Sequence, residues 1–245
     1  MAKTNQRTRD RRAVVEQLQR EQRRREKQRT LGVVAVCAVF ALVIIFLGAR
    51  PLLAQKEAAS GDLASLGTSI SDAACRPMTT KSAVGNSDHR PIGTPISYPD
   101  SPPAFGPHWP VPAPFGRKFY TTQDRPQVEY LVHNLEHGYT LLWYDQTVAD
   151  NTGKLNVVKG IAGKFEGSST DMRDKFIAAP WTAKDGKPFP KGTHIALAHW
   201  SMGGTHGNPP GQLGVWQYCG QPSGAVVSSF MKDYPYTDSP EPTAM

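Results

Sequence analysis

His133-Asn-Leu-Glu-His137 sets two imidazoles four residues apart with a carboxylate beside the second. On a helix this spacing stacks both rings on one face, where they can share a metal ion or another ligand. The string also fits the H-x-x-E-H pattern of inverted zinc peptidases, in which the histidines hold zinc and the glutamate, here Glu136, is the general base. That chemistry needs a third protein ligand, commonly a downstream carboxylate, and no Asp or Glu lies between Asp185 and Asp233. Gly138 also ends the helix at the motif, where a peptidase helix would continue. Zinc-dependent hydrolysis is therefore the weakest reading, and the plain alternative to a metal site is a hydrogen-bonded histidine pair.

The other histidines are His89, His108, His194, His199 and His206. His108 stands in a proline-rich coil and His206 in a glycine-rich loop, so both are held by unusual backbone. Two helical histidines and one from a stiff coil make His108, His133 and His137 a candidate set for zinc or copper, with copper slightly ahead. His89, His199, His206, Glu136 and Met202 are peripheral candidates, and Met78 and Met202 are the soft atoms that copper(I) would accept. His194 and His199 lie five apart on one expected strand and so point to opposite faces, which lets at most one of them join the site. No G-x-S-x-G, P-loop, dinucleotide fingerprint or C-x-x-C occurs, and nothing supports a nucleophilic serine or cysteine. The residues favour a binding or structural module over an enzyme.

The elements that must position these groups follow from pattern. Val128, Leu131, Val132 and Leu135 form one apolar stripe of a helix, capped by Asp124 with Pro126 in its first turn; His133 and His137 lie on the other side. Tyr139–Tyr144 follows as a buried strand. Nine prolines between Arg90 and Pro114 exclude helix and central strand there, and Phe105-Gly-Pro-His-Trp109 implies that this coil packs down. Asp150–Lys154 reads as a turn, and Ser169 or Thr170 as the cap of a helix over Asp171–Ala178. His194–Trp200 reads as a buried strand, Ser201–Gly214 as irregular, Val215–Tyr218 as a strand, and Ser223 as the cap of a helix over Gly224–Lys232. The fold class is α+β, a single domain with a small, mostly antiparallel sheet.

Charge and hydropathy place that domain. The chain has 245 residues and a net charge of +7. Residues 1–30 hold 11 of the 28 Lys and Arg and 4 of the 21 Asp and Glu, and the remainder is balanced. Nucleic acid is thereby excluded as the expected partner of the domain, because its footprint is a basic face. Residues 31–49 carry no charge, and 19 residues of helix reach about 28 Å, the thickness of a bilayer core. The basic flank precedes the span, so a cytoplasmic tail facing anionic lipid, one transmembrane helix and an extracytoplasmic domain are expected. The expected organisation is a tail at 1–30, the span at 31–49, a linker at 50–74, the domain at 75–232 and a flexible tail at 233–245. Outside the span there are two cysteines, Cys75 and Cys219. An exported compartment permits their disulfide, with Cα atoms about 4.4–6.8 Å apart.

The strings Pro103-Ala-Phe-Gly-Pro-His108, Leu131-Val-His-Asn-Leu-Glu-His-Gly138, Cys219-Gly220 and Tyr234-Pro…Glu241-Pro resemble the actinobacterial membrane-anchored proteins of domain-of-unknown-function family 3105, over residues 70–242. The resemblance implies a shared core of His108 with the pair His133 and His137, and a looser further histidine at His89. It implies fold, anchoring and a histidine-centred site, and supplies no reaction and no protein partner.

Overall fold

The computed structural model describes residues 37–41, 62–85, 87–167, 171–204 and 210–245. The expected basic tail lies outside them, as does most of the expected span, of which residues 37–41 are helical. No helix among the described residues is long and apolar enough to cross a membrane.

The described residues from Asp62 onward form one compact unit. Its elements in order are β1 (Thr79–Ser82), α1 (Val128–Glu136), β2 (Thr140–Tyr144), a single turn at Gln146–Ala149, α2 (Thr152–Gly163), β3 (Phe176–Pro180), β4 (Ile195–Gly203), β5 (Pro210–Cys219) and α3 (Gly224–Asp233). The sheet order is β1-β5-β4-β2-β3. Every pairing is antiparallel except β2 with β3. That parallel pair requires a crossover, and α2 supplies it. The architecture is thus α+β with a mostly antiparallel sheet, as expected.

Strand pleating divides the interior into two cores. Leu142, Tyr144, Phe176, Ala178, Ile195, Leu197 and Val215 face α2 and α3, which contribute Val158, Ile161, Val226 and Phe230. Leu141, Trp143, Ile177, Ala179, Ala196, Ala198 and Trp200 face the other way, onto the Val128, Leu131, Val132 and Leu135 stripe of α1 and the proline coil. The sheet is therefore the middle of three layers, and the histidine-bearing helix lies on the second face.

Several expectations are corrected. Asp124 does not cap α1; the helix starts after Gln127 with no side-chain cap, and Asp124 instead accepts from the Thr121 amide and hydroxyl. The turn expected at Asp150–Lys154 opens α2, with Asn151 Oδ1 accepting from the Lys154 amide. Gly153, Gly160, Gly163 and the β-branched pair Val157-Val158 weaken its helical signature. The helix expected over Asp171–Ala178 is a short turn at Met172–Asp174 followed by β3, because a five-residue apolar run fits a fully buried strand as well as a helix. The irregular stretch expected at Ser201–Gly214 is mostly strand: β4 runs to Gly203 and β5 starts at Pro210, and the glycine loop between them contains residues 205–209, outside the described set. Residues 62–74, expected as linker, pack on the domain through Leu66 and Ala73. Residues 233–245, expected as a flexible tail, are docked, with Tyr234 and Ser239 buried.

Ser223 caps α3 as expected, its Oγ accepting from the Val226 amide. Cys75 and Cys219 are bonded, with Cα atoms 3.9 Å apart, closer than the expected range.

A histidine and carboxylate cluster beneath the proline coil

α1 is buried on both sides. The face opposite its apolar stripe is covered by the proline coil and by the docked C-terminal segment, so His133, Asn134, Glu136 and His137 are all buried. Asn134 fastens the coil: its Oδ1 accepts from the Ala113 amide at 2.9 Å and its Nδ2 donates to the Ala113 carbonyl at 3.0 Å. The coil is further held by Trp109 Nε1 on the Thr94 carbonyl and Trp216 Nε1 on the Pro102 carbonyl. Asp88–Arg90 pairs with it through the His108 amide and carbonyl, which sets His89 beside His108.

On the other flank Lys175 is the fastener. Its Nζ donates to three main-chain oxygens at 2.7 Å each, those of His137, Pro242 and Ala244. Burial pushes this amine down to about 8, and the carbonyl-rich end of α1 is a favourable place for a cation. Gly138, at φ +90°, turns the chain away from the helix as expected. A side chain here would also strike the Tyr236 carbonyl, 2.3 Å from where its Cβ would sit. The Glu241 amide donates to the Glu136 carbonyl at 3.0 Å, which brings the Glu241 side chain to the cluster.

The hydrogen bonds fix the tautomers. His108 Nδ1 lies 2.8 Å from the Gly106 carbonyl, His133 Nδ1 2.6 Å from the Trp109 carbonyl, and His137 Nδ1 3.1 Å from the Met245 main-chain oxygen. These oxygens only accept, so each Nδ1 carries the proton and each Nε2 presents a lone pair. The three Nε2 atoms do not point to solvent. His133 Nε2 and His137 Nε2 face each other at 2.9 Å. His108 Nε2 lies 2.9 Å from Glu136 Oε2, yet the approach is out of line for a hydrogen bond, and both atoms are buried without a hydrogen-bond partner. Acceptors are thus packed against acceptors, an arrangement that costs energy until a cation lies between them.

Burial lowers the affinity of His133 for a proton, although the Trp109 carbonyl opposes this. His137 is pushed down to about 4, by burial first and then by His133. Both rings are neutral at pH 7, the form that ligates.

The donor atoms fall into two groups, each with all members within 4.8 Å of one another: His89, His108, His133 and Glu136 in one, and Glu136, His137 and Glu241 in the other. The expected trio of His108, His133 and His137 is therefore shared between groups. His89, 42% exposed, and Glu241, 51% exposed, form the solvent rim. His199 stays outside: it lies on the opposite pleat of β4 from Trp200, and its nitrogens engage the Tyr139 and Asp238 main-chain oxygens. Met202 is largely exposed, and its amide meets Asp238. Met78 is exposed as well. His206 lies outside the described residues. His194 pairs with Asp145 at 2.8 Å, at the far end of β4, and serves the fold.

Sequence reasoning missed Glu241 and Lys175. The Glu241-Pro string was visible, but its proximity to His137, 3.4 Å from Nε2 to Oε2, depends on the docking of a segment with no periodic pattern. Glu241 is the downstream carboxylate that H-x-x-E-H chemistry asks for. Glu136, however, is buried against His108 and not poised over an open water, as a general base would be.

A family model described as a protein of unknown function (DUF3105) matches residues 89–244. No curated protein and no solved structure matches the chain.

Proposed function

We propose for this chain, which belongs to the family of proteins of unknown function DUF3105, that it is a divalent-metal-binding module of the cell envelope. The observation that carries the reading is the set of three Nδ1–H groups on main-chain oxygens, which leaves three bare Nε2 atoms turned on one another and on Glu136. Metal-ligating imidazoles are usually oriented in this way, with the other ring N–H donated to a main-chain oxygen or carboxylate. Ligand atoms about 2.0–2.1 Å from a tetrahedral ion stand about 3.3–3.4 Å apart. Separations of 2.9 Å, 3.4 Å and 3.7 Å around Glu136 and Glu241 bracket that value. The donors of the two groups are imidazole and carboxylate, a set that suits zinc(II) or copper(II).

The envelope location rests on the uncharged stretch at 31–49 behind a basic flank, which supports a single-pass anchor with the N-terminus inside. The Cys75–Cys219 bond supports an oxidising compartment for the domain. The actinobacterial setting rests on sequence resemblance.

A second reading, a metal-free structural or interaction protein, is favoured by the bonds from His108 and His133 to carbonyls of the proline coil. Metal analysis separates the two. The purified chain, equilibrated with zinc(II) and desalted, should retain metal in stoichiometric amount and lose it to a chelator. Retention no higher than in a His133→Ala, His137→Ala double variant would leave only the structural reading.

A further inference from the structure

The six donors are more than one tetrahedral ion can use, and they do not form one set. His89, His108, His133 and Glu136 make a nitrogen-rich inner group, three of whose four members are buried. Glu136, His137 and Glu241 make an outer group with two carboxylates, one of them half-exposed. Glu136 is the only member of both. The groups abut, since His133 Nε2 of the first lies 2.9 Å from His137 Nε2 of the second. We propose that the cluster is a two-ion centre bridged by the Glu136 carboxylate, with an inner ion on His89, His108 and His133 and an outer ion on His137 and Glu241.

This inference rests on the metal-binding reading and specifies it. A carboxylate has two oxygens, and ions sharing one are typically about 3.5–4 Å apart in paired sites. The inner ion has four protein donors and is complete as a tetrahedral site. The outer ion has three, which leaves a position open to water or to an oxygen-bearing ligand from the solvent side, where Glu241 is exposed. The two sites therefore differ in character. The inner ion is closed and tightly held, whereas the outer one is open, exchangeable and dependent on the segment that Lys175 fastens.

Metal stoichiometry of the full-length chain tests this. The wild-type chain and a Glu241→Gln variant are loaded with zinc(II), desalted and assayed for metal per chain. Glu241 is half-exposed and its main-chain bond to Glu136 survives the substitution, so the variant keeps its fold; circular dichroism checks this. Two ions in wild type and one in the variant are expected. One ion in both would overturn the pair while leaving the metal-binding function intact, and none in either would overturn both. Two ions in the variant would overturn the outer site as drawn. A copper(II)-loaded sample tests the bridge. Ions sharing a carboxylate couple magnetically and lose the simple electron paramagnetic resonance signal of isolated copper, and an uncoupled two-ion signal would overturn it.

Discussion

Glu136 is a buried carboxylate to which His108 Nε2, 2.9 Å away, offers a lone pair. Glu136→Gln should therefore separate binding from stability. The amide removes a buried charge that no hydrogen bond from His108 compensates, so the metal-free variant should be as stable as wild type or more stable by about 1 kcal/mol. Its metal retention should be lost. A structural ion pair would give the opposite result in a urea titration, a clear loss of stability without metal. The histidines make a second forecast. His133, His137 and His199 all hold protons less tightly than in an unfolded chain, because burial disfavours the imidazolium. Below about pH 6.5 the unfolded state binds protons that the native state does not. The stability of the chelated protein should be full above pH 6.5 and fall towards pH 4, read as the thermal midpoint. His137→Gln should flatten part of that slope. The histidine pair and its spacing were legible in the sequence, since four-residue periodicity is a local property. Glu241 and Lys175 were not, because their role depends on which carbonyls lie opposite them.

Two of the side chains that hold the walls of the cluster each satisfy more than one main-chain group. Asn134 alone satisfies both the amide and the carbonyl of Ala113. Asn134→Ala should cost about 2–4 kcal/mol by stranding both groups, and should lower metal affinity by loosening the coil that carries His108. Urea midpoints and metal titrations of the same variant check the two effects. Gly138→Ala should be of similar severity, about 2–4 kcal/mol, since it combines a left-handed backbone with a collision against the Tyr236 carbonyl. Element type was legible where the pattern was long or well capped. The apolar stripe of α1, the β4 run and the Ser223 cap are such cases. It failed at α2, where glycines and β-branched residues mask a helix that exists because β2 and β3 are parallel and need a crossover. It failed again at β3, whose five residues are too few to show a period.

At the scale of the whole molecule, the disulfide ties the start of the domain to the end of β5 across 144 residues. A Cys75→Ser, Cys219→Ser chain should lose about 4–5 kcal/mol on the chain-entropy account, seen as a lower urea midpoint under oxidising conditions. The paired cysteines and the α+β class were legible from composition and pattern. The three-layer arrangement was not, because nothing local says that the second side of α1 is covered as well. That covering sets a clock. The segment bearing Glu241 comes away only when the Lys175 bonds to the Pro242 and Ala244 carbonyls open with it. An ion held by Glu241 then has a residence time governed by how often the segment peels, whatever the intrinsic strength of its coordinate bonds. The Glu241 amide, bonded to the Glu136 carbonyl, reports those openings directly. Its hydrogen-exchange rate and the release rate of the outer ion should rise together when Lys175 is replaced by Met.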